Sequence, residues 1–215
     1  VTRVSVNPQS MQEATLERIG RYHSPADIVR MVHEIRAAMN VHINMDVILG
    51  LPGETAADVE RTMAAVTALA PDDITLHALA LKRGSNLRLK METEHVELPS
   101  DAETRRMSEA AVRAVEEAGY RPYYLYRQGY MSGDLENVGY ARAGAESIYN
   151  IQIMEERQTI IGIGSAATTK VLGIRSGRMH AVFNAKDLVT YLRDIDIYIE
   201  KRRALLRAEY EEETP

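Results

Sequence analysis

The 215 residues are 45% hydrophobic and carry a formal net charge of −5, which suits one large domain, or one domain with an appendage, built on a real core. The charge is spread along the chain and forms no basic face, so nucleic acid and membrane surfaces are not expected partners. There is no cysteine, which excludes a disulfide framework, a thiolate-held metal or cluster and a cysteine nucleophile within these residues.

No apolar run approaches the roughly 20 residues that span a bilayer, and the start lacks a signal-peptide pattern, so a cytoplasmic protein is expected. The opening Val-Thr-Arg-Val-Ser-Val reads as the middle of a domain, and the chain is expected to be a piece of a longer product.

In chain order, residues 3–7 are β-branched and alternating and read as a strand ended by Pro8. Met11 to Ile19 reads as a short helix closed by Gly20. Ser24-Pro25-Ala-Asp27 is a strong helix start, and the helix runs to about Asn40. Val41–Leu49 is a strand with two unlike faces. Ile43, Met45, Val47 and Leu49 form one, and Asn44, Asp46 and Ile48 the other. Gly50-Leu-Pro-Gly53 turns the chain, Thr55-Ala-Ala-Asp58 caps a helix to about Leu69, and Pro71-Asp-Asp73 turns it into a strand at Ile74–Leu81. Strands alternating with helices predict a parallel sheet, of a barrel or of a doubly wound type.

Beyond Leu81 the pattern changes. Lys82–Pro99 reads as a connector, Ser100–Ala118 as an amphipathic helix and Tyr123–Tyr126 as a strand, while residues 128–150 have weak periodicity. Gln158–Ile163 reads as a strand, Val171–Ile174 and Met179–Phe183 as a hairpin around Ser176-Gly177, Ala185–Arg207 as one long helix and Glu209–Pro215 as a frayed acidic tail.

Gln9, Arg21 and Asp46 each stand at or near the end of a strand or in the loop after it, where parallel β/α folds bind ligands. A carboxylate inside a sheet is costly unless hydrogen-bonded, so Asp46 reads either as an acceptor for ligand hydroxyls or as half of an internal salt bridge. Arg21 suits carboxylate recognition. The small residues of Gly162-Ile-Gly-Ser-Ala-Ala would admit a flat ligand, although the third glycine of a dinucleotide fingerprint is missing. Seven of the 11 tyrosines fall between Tyr120 and Tyr149, with Arg121, Arg127 and Arg142 among them. Rings and guanidinium groups together suit a large flat polyanion, and about half of these tyrosines are expected in a core instead. His77 is read as a satisfied core histidine. No metal ligand is assigned.

The segments Arg3-Val-Ser-Val-Asn-Pro-Gln-Ser10, Gly20-Arg-Tyr-His-Ser24, Ile43-Asn-Met-Asp-Val-Ile-Leu-Gly-Leu-Pro-Gly-Glu54 and Leu76-His-Ala-Leu-Ala80 resemble the later strands of the oxygen-independent coproporphyrinogen III oxidase family. These are radical S-adenosylmethionine (SAM) enzymes. Tyr124-Leu-Tyr-Arg-Gln128, Leu135-Glu-Asn-Val-Gly-Tyr140 and Met154-Glu-Glu-Arg-Gln-Thr-Ile-Ile-Gly162 resemble its coproporphyrinogen dehydrogenase branch.

The resemblance implies an α/β fold: the later part of a partial (β/α) radical SAM barrel with parallel strands over residues 1–98, then a mixed α/β C-terminal region over 99–215. It implies SAM binding at Gln9, Arg21, Asp46, Ala80 and Thr168, the last at a loop position where the family can carry an apolar residue. Tyr126, Arg127 and Gln128 are implied on the substrate side. The implied reaction is oxidative decarboxylation of two propionates of coproporphyrinogen III to vinyl groups, begun by a 5′-deoxyadenosyl radical and completed by an external electron acceptor. The family's [4Fe-4S] cluster would have its ligands outside this chain, so these residues alone are expected to be inactive. A haem-carrying relative without dehydrogenase activity is the alternative, and an unrelated β/α-barrel domain that binds no SAM is a third. A dimer is a further expectation, because an incomplete barrel exposes strand edges.

Overall fold

A computed structural model describes residues 1–80, 96–127 and 135–210. Two compact units divide the chain, 1–147 and 148–215.

The first unit is built on five strands: β1 (Arg3–Ser5), β2 (His42–Leu49), β3 (Asp73–Ala78), β4 (Arg121–Tyr126) and β5 (Asn137–Ala141). Their order is β1-β2-β3-β5-β4. β1, β2 and β3 run parallel, as the alternation of strands and helices predicts. β5 then enters antiparallel beside β3 and pairs antiparallel with β4. β1 and β4 are the edges. The weakly periodic stretch after residue 128 thus contains a strand with partners on both sides. Asn137-Val-Gly-Tyr-Ala is too short to announce itself by alternation, and its conformation is fixed by those partners.

Helices α1 (Glu13–Arg18), α2 (Pro25–Ala38), α3 (Ala56–Ala68) and α4 (Asp101–Glu117) belong to the same unit. α2 begins as the sequence predicts. The Ser24 hydroxyl accepts from the Asp27 N–H at 3.2 Å, the Asp27 carboxylate accepts from the Ser24 N–H at 2.9 Å, and Pro25 opens the helix. One face of the sheet is apolar and buried. Ile43, Met45, Val47 and Leu49 of β2 and Ile74 and Leu76 of β3 pack with Ile28 and Val32 of α2, Val59, Met63 and Val66 of α3, and Met107, Ala111 and Val115 of α4. Tyr120 and Tyr140 join this core. The Tyr120 hydroxyl donates to the Pro71 carbonyl at 2.7 Å, and Arg142 lies over its ring at 4.8 Å.

The second unit holds α5 (Ile148–Glu155), the hairpin β6 (Thr168–Leu172) and β7 (Met179–Phe183), and α6 (Leu188–Arg193) and α7 (Ile195–Tyr210). The predicted strand at Gln158–Ile163 is reduced to a single bridge between Ile160 and Lys170. The backbone of Thr168 presses on Gly162, where a Cβ would collide with it. The small residues around Gly162 therefore serve the chain's own close packing. The predicted long helix is two helices broken at Asp194. Glu209, expected in a frayed tail, is buried in α7, and its carboxylate accepts from the N–H groups of Arg175 and Ser176 at 3.2 and 3.1 Å, clamping the hairpin turn. Among the described residues no helix is long and apolar enough to cross a membrane.

Candidate functional site

The second face of the five-stranded sheet is polar, and the period of two along each strand puts it there. Cross-strand register brings Ser5 beside Asn44, Asn44 beside Asp73, Asp46 beside Thr75 and Ile48 beside His77. On the other flank Thr75 is level with Gly139, and Gly139 with Tyr124. A methyl group on Gly139 would enter the Tyr124 ring, so glycine is what lets that ring lie across the sheet. The Thr75 and Tyr124 hydroxyls are 3.2 Å apart. Tyr124 and Tyr126 are nearly coplanar in orientation, 4° between planes with centroids 6.3 Å apart.

Asp46 is a partly exposed carboxylate near the middle of this face. Asn44 Nδ2 donates to its Oδ1 at 2.8 Å, and His77 Nε2 stands 3.6 Å from the same oxygen. Burial opposes its ionisation, but contacts from His77, Asn44 and Thr75 together outweigh that and hold its pKa below the usual value. Asp46 is therefore an anion with acceptor capacity on an accessible surface. Of the two readings left open by the sequence, the internal salt bridge to a permanent cation is not what the structure contains. That role falls to Asp73, which pairs with Arg3 and accepts from Tyr123 at 3.1 Å.

Gln9 lies alongside Asp46. Its N–H donates to the Asp46 carbonyl at 3.0 Å, and its carbonyl accepts from the Ile48 N–H at 2.9 Å. Its φ of 64° is left-handed, a conformation that costs a non-glycine residue about 1 kcal/mol or more and that surrounding structure must enforce. Part of that enforcement comes from the Gly50-Leu-Pro-Gly-Glu54 turn. The buried Glu54 accepts from the Ser10 hydroxyl, and burial raises its pKa. Arg18 donates to the Pro52 carbonyl at 2.6 Å. The motif read as a family signature is thus also the splint that fixes the chain after Gln9 against the end of β2.

Arg21 follows Gly20, whose φ is 74°, in an exposed loop. His23 Nε2 lies 3.3 Å from the Pro8 carbonyl, which holds that loop beside the turn carrying Gln9. Ala80 is half-buried two residues beyond β3, where the Leu79 N–H still bonds the Leu49 carbonyl at 2.9 Å. Gln9, Asp46 and Ala80 thus belong to the C-terminal halves of three adjacent parallel strands or to the residues just past them. Thr168 is in the second unit, where it opens β6 opposite Phe183 and is a strand residue instead of a loop residue.

On the predicted substrate side, Tyr126 ends β4 on the polar face. Arg127, the next residue, is exposed and lies 3.9 Å from Glu136. Gln128 is outside the described residues, as is Tyr130. Of the remaining clustered tyrosines, Tyr120 and Tyr140 are core, Tyr123, Tyr124 and Tyr126 crowd the polar face, and Tyr149 is exposed.

His77 is the residue that sequence reasoning misplaced. It is not a core histidine; it stands partly exposed between Asp46 and Tyr126. The available signal was its spacing from Thr75 and Asp73, two and four residues away on one strand face. Its meaning depended on a register with β2 that no single strand reveals.

A family profile described as the radical SAM superfamily matches residues 1–66. The oxygen-independent coproporphyrinogen-III oxidase-like protein HemZ of Bacillus subtilis is 39% identical over 214 residues, 100% of this chain and 42% of its own length. The heme chaperone HemW of Bacillus subtilis is 24% identical over 189 residues, 88% of this chain and 46% of its own. Coproporphyrinogen III oxidase HemN of Escherichia coli, described as a radical SAM enzyme, superposes with a TM-score of 0.68 over 91% of this chain and 43% of that one at 17% identity, a likeness of fold. The chain spans less than half the length of these relatives.

Proposed function

We propose that this chain, which belongs to the radical SAM proteins related to coproporphyrinogen III oxidase, is the SAM-binding and substrate-facing portion of a coproporphyrinogen III dehydrogenase. The observation that carries the SAM assignment is the ionised, partly exposed Asp46, whose carbonyl accepts from the Gln9 N–H, among the ends of three parallel strands. A carboxylate so placed accepts hydrogen bonds from a ribose diol, as acids at strand ends do for nucleosides. The exposed Arg21 guanidinium would take the amino-acid carboxylate of SAM in a two-point contact. Gln9 and Ala80 would border the same ligand.

Bound SAM would supply the oxidising radical chemistry. None of the 215 residues is cysteine, so none fits a thiolate-held [4Fe-4S] cluster; such a cluster would be held elsewhere in the intact protein. On the substrate side, Tyr126, Arg127 and Gln128 would meet the tetrapyrrole. Flat rings suit its faces, and a guanidinium suits its propionates. Each of two propionates would lose CO2 and hydrogen to become a vinyl group, the remaining electron passing to an external acceptor.

The likeness to a heme chaperone favours a second reading, a haem carrier that uses the same tetrapyrrole-facing surface without turnover. One experiment separates the two. The full-length protein is reconstituted anaerobically with iron and sulfide, and its EPR spectrum is recorded with and without SAM. Coproporphyrinogen III is then supplied with reductant and an electron acceptor. A SAM-perturbed cluster signal with release of CO2 and vinyl product is the expected result. Stable haem binding with no CO2 would replace the dehydrogenase reading with the carrier.

A further inference from the structure

His77 is unused by the assignment above, yet it touches both sides of the site. It leaves β3 on the polar face level with Ile48 of β2. Its Nε2 stands 3.6 Å from Asp46 Oδ1, and its Nδ1 stands 3.4 Å from the Tyr126 hydroxyl. The His77 and Tyr126 rings meet edge to face, 6.4 Å between centroids. The side chains of His77 and Asp46 are 25% and 21% exposed, so the pair is open to a ligand and is not sealed in the core. Both distances are about half an ångström or more beyond a relaxed hydrogen bond, and catalytic and binding contacts are often long before a ligand closes them.

A tyrosine hydroxyl that donates to one ring nitrogen would leave the hydrogen of the imidazole on the other. With Nδ1 accepting from Tyr126, Nε2 is the protonated nitrogen and faces Asp46. Asn44 Nδ2 already donates to the same carboxylate oxygen at 2.8 Å. Asn44 and His77 thus both approach Oδ1, and Oδ2 is the oxygen left for a ligand hydroxyl.

We infer that His77 is the positioning residue for Asp46, oriented in turn by Tyr126, so that a Tyr126–His77–Asp46 chain joins the substrate side of the pocket to the nucleoside side. This rests on the reading of Asp46 as the SAM ribose acceptor. His77 itself touches no reacting atom in this scheme. It acts through the geometry of Asp46, and Tyr126 acts through the tautomer of His77.

The test is calorimetric binding of S-adenosylhomocysteine to the full-length protein, which reads the pocket without turnover. Asp46→Asn is expected to weaken binding about thirtyfold and His77→Ala about tenfold, the worth of a charge-assisted hydrogen bond in each case. His77→Gln, whose amide keeps a donor near the Nε2 position, is expected to regain most of the loss, and Tyr126→Phe to cost about threefold. The decisive arm is the double variant. His77→Ala placed on Asp46→Asn is expected to cost less than about twofold more, because residues acting through one contact are not additive.

Equal losses from His77→Ala in both backgrounds would overturn the inference while leaving Asp46 as the ribose acceptor. Unchanged affinity in Asp46→Asn would overturn the pocket assignment and this inference with it. If His77→Ala does not fold, His77→Gln and Tyr126→Phe carry the same comparison. A full tenfold loss in His77→Gln, with its melting temperature unchanged, would then count against the inference.

Discussion

Asp46 and Asp73 stand on the same face of one sheet, one register step apart on neighbouring strands, and they have opposite characters. Asp46 meets neutral donors and a histidine and is partly exposed; its carboxyl is held below the usual carboxylate range. Asp73 is sealed at 1% exposure, clamped by Arg3 and touched by Tyr123, and burial pushes it up to about 6 despite its cation. A carboxylate on a sheet face is therefore not a site by virtue of its charge. A full counter-ion and burial turn it into a structural clamp, whereas neutral donors and access leave it able to receive a ligand.

The largest expected effect comes from breaking the clamp. Asp73→Ala leaves the Arg3 guanidinium without its partner in a poorly solvated position, and should destabilise the protein by about 3 kcal/mol in chemical denaturation. Asp46→Ala should cost less than about 1 kcal/mol by the same measurement, since it is paired with no arginine or lysine and its histidine neighbour is partly exposed. Equal costs would erase the distinction between the two acids.

A smaller effect appears on titration. The folded-state pKa of Asp73 is raised from 3.8 to about 6, so its contribution to stability is present below about 4 and is lost as the pH rises through about 6. Asp46 has the opposite sign, with a contribution present above its unfolded value and lost on acidification. The urea midpoint of the unmodified protein should therefore carry a downward component between about pH 4 and 6 that is absent from Asp73→Asn and retained in Asp46→Asn. The smallest effect is that of one hydroxyl. Tyr123→Phe should lower stability by about 1 kcal/mol, because Asp73 loses its second donor, with no change in nucleoside affinity. Tyr126→Phe should do the reverse.

What was legible in the sequence was local. The two faces of β2 follow from the alternation between Ile43 and Val47, and the start of α2 follows from Ser24, Pro25 and Asp27, because side chains within three or four residues settle both. Gln9 and Asp46 were legible as strand-end positions in a parallel sheet, since that depends on element order alone, whereas Ala80 came only from the family resemblance. What was not legible needed contacts distant in sequence. Asp73 looked like a turn residue because its partner, Arg3, is 70 residues upstream. β5 was missed because its pairing comes from strands on either side. His77 was read as core because the same pattern of neighbours fits a buried histidine until β2 supplies Asp46 diagonally across from it.

The reversal of direction at β5 has a consequence for how such a molecule can change. The parallel strands β1 to β3 carry the proposed nucleoside positions, and their registers are tied to one another by the helices that link them. Tyr124 and Tyr126 instead arrive on an outer antiparallel pair, set by the register of β4 on β5. A slip of two residues between β4 and β5 would keep every side chain on its face while carrying Tyr126 to the place now held by Tyr124. Sliding one strand would move the tyrosines of this face while the three parallel strands kept their registers.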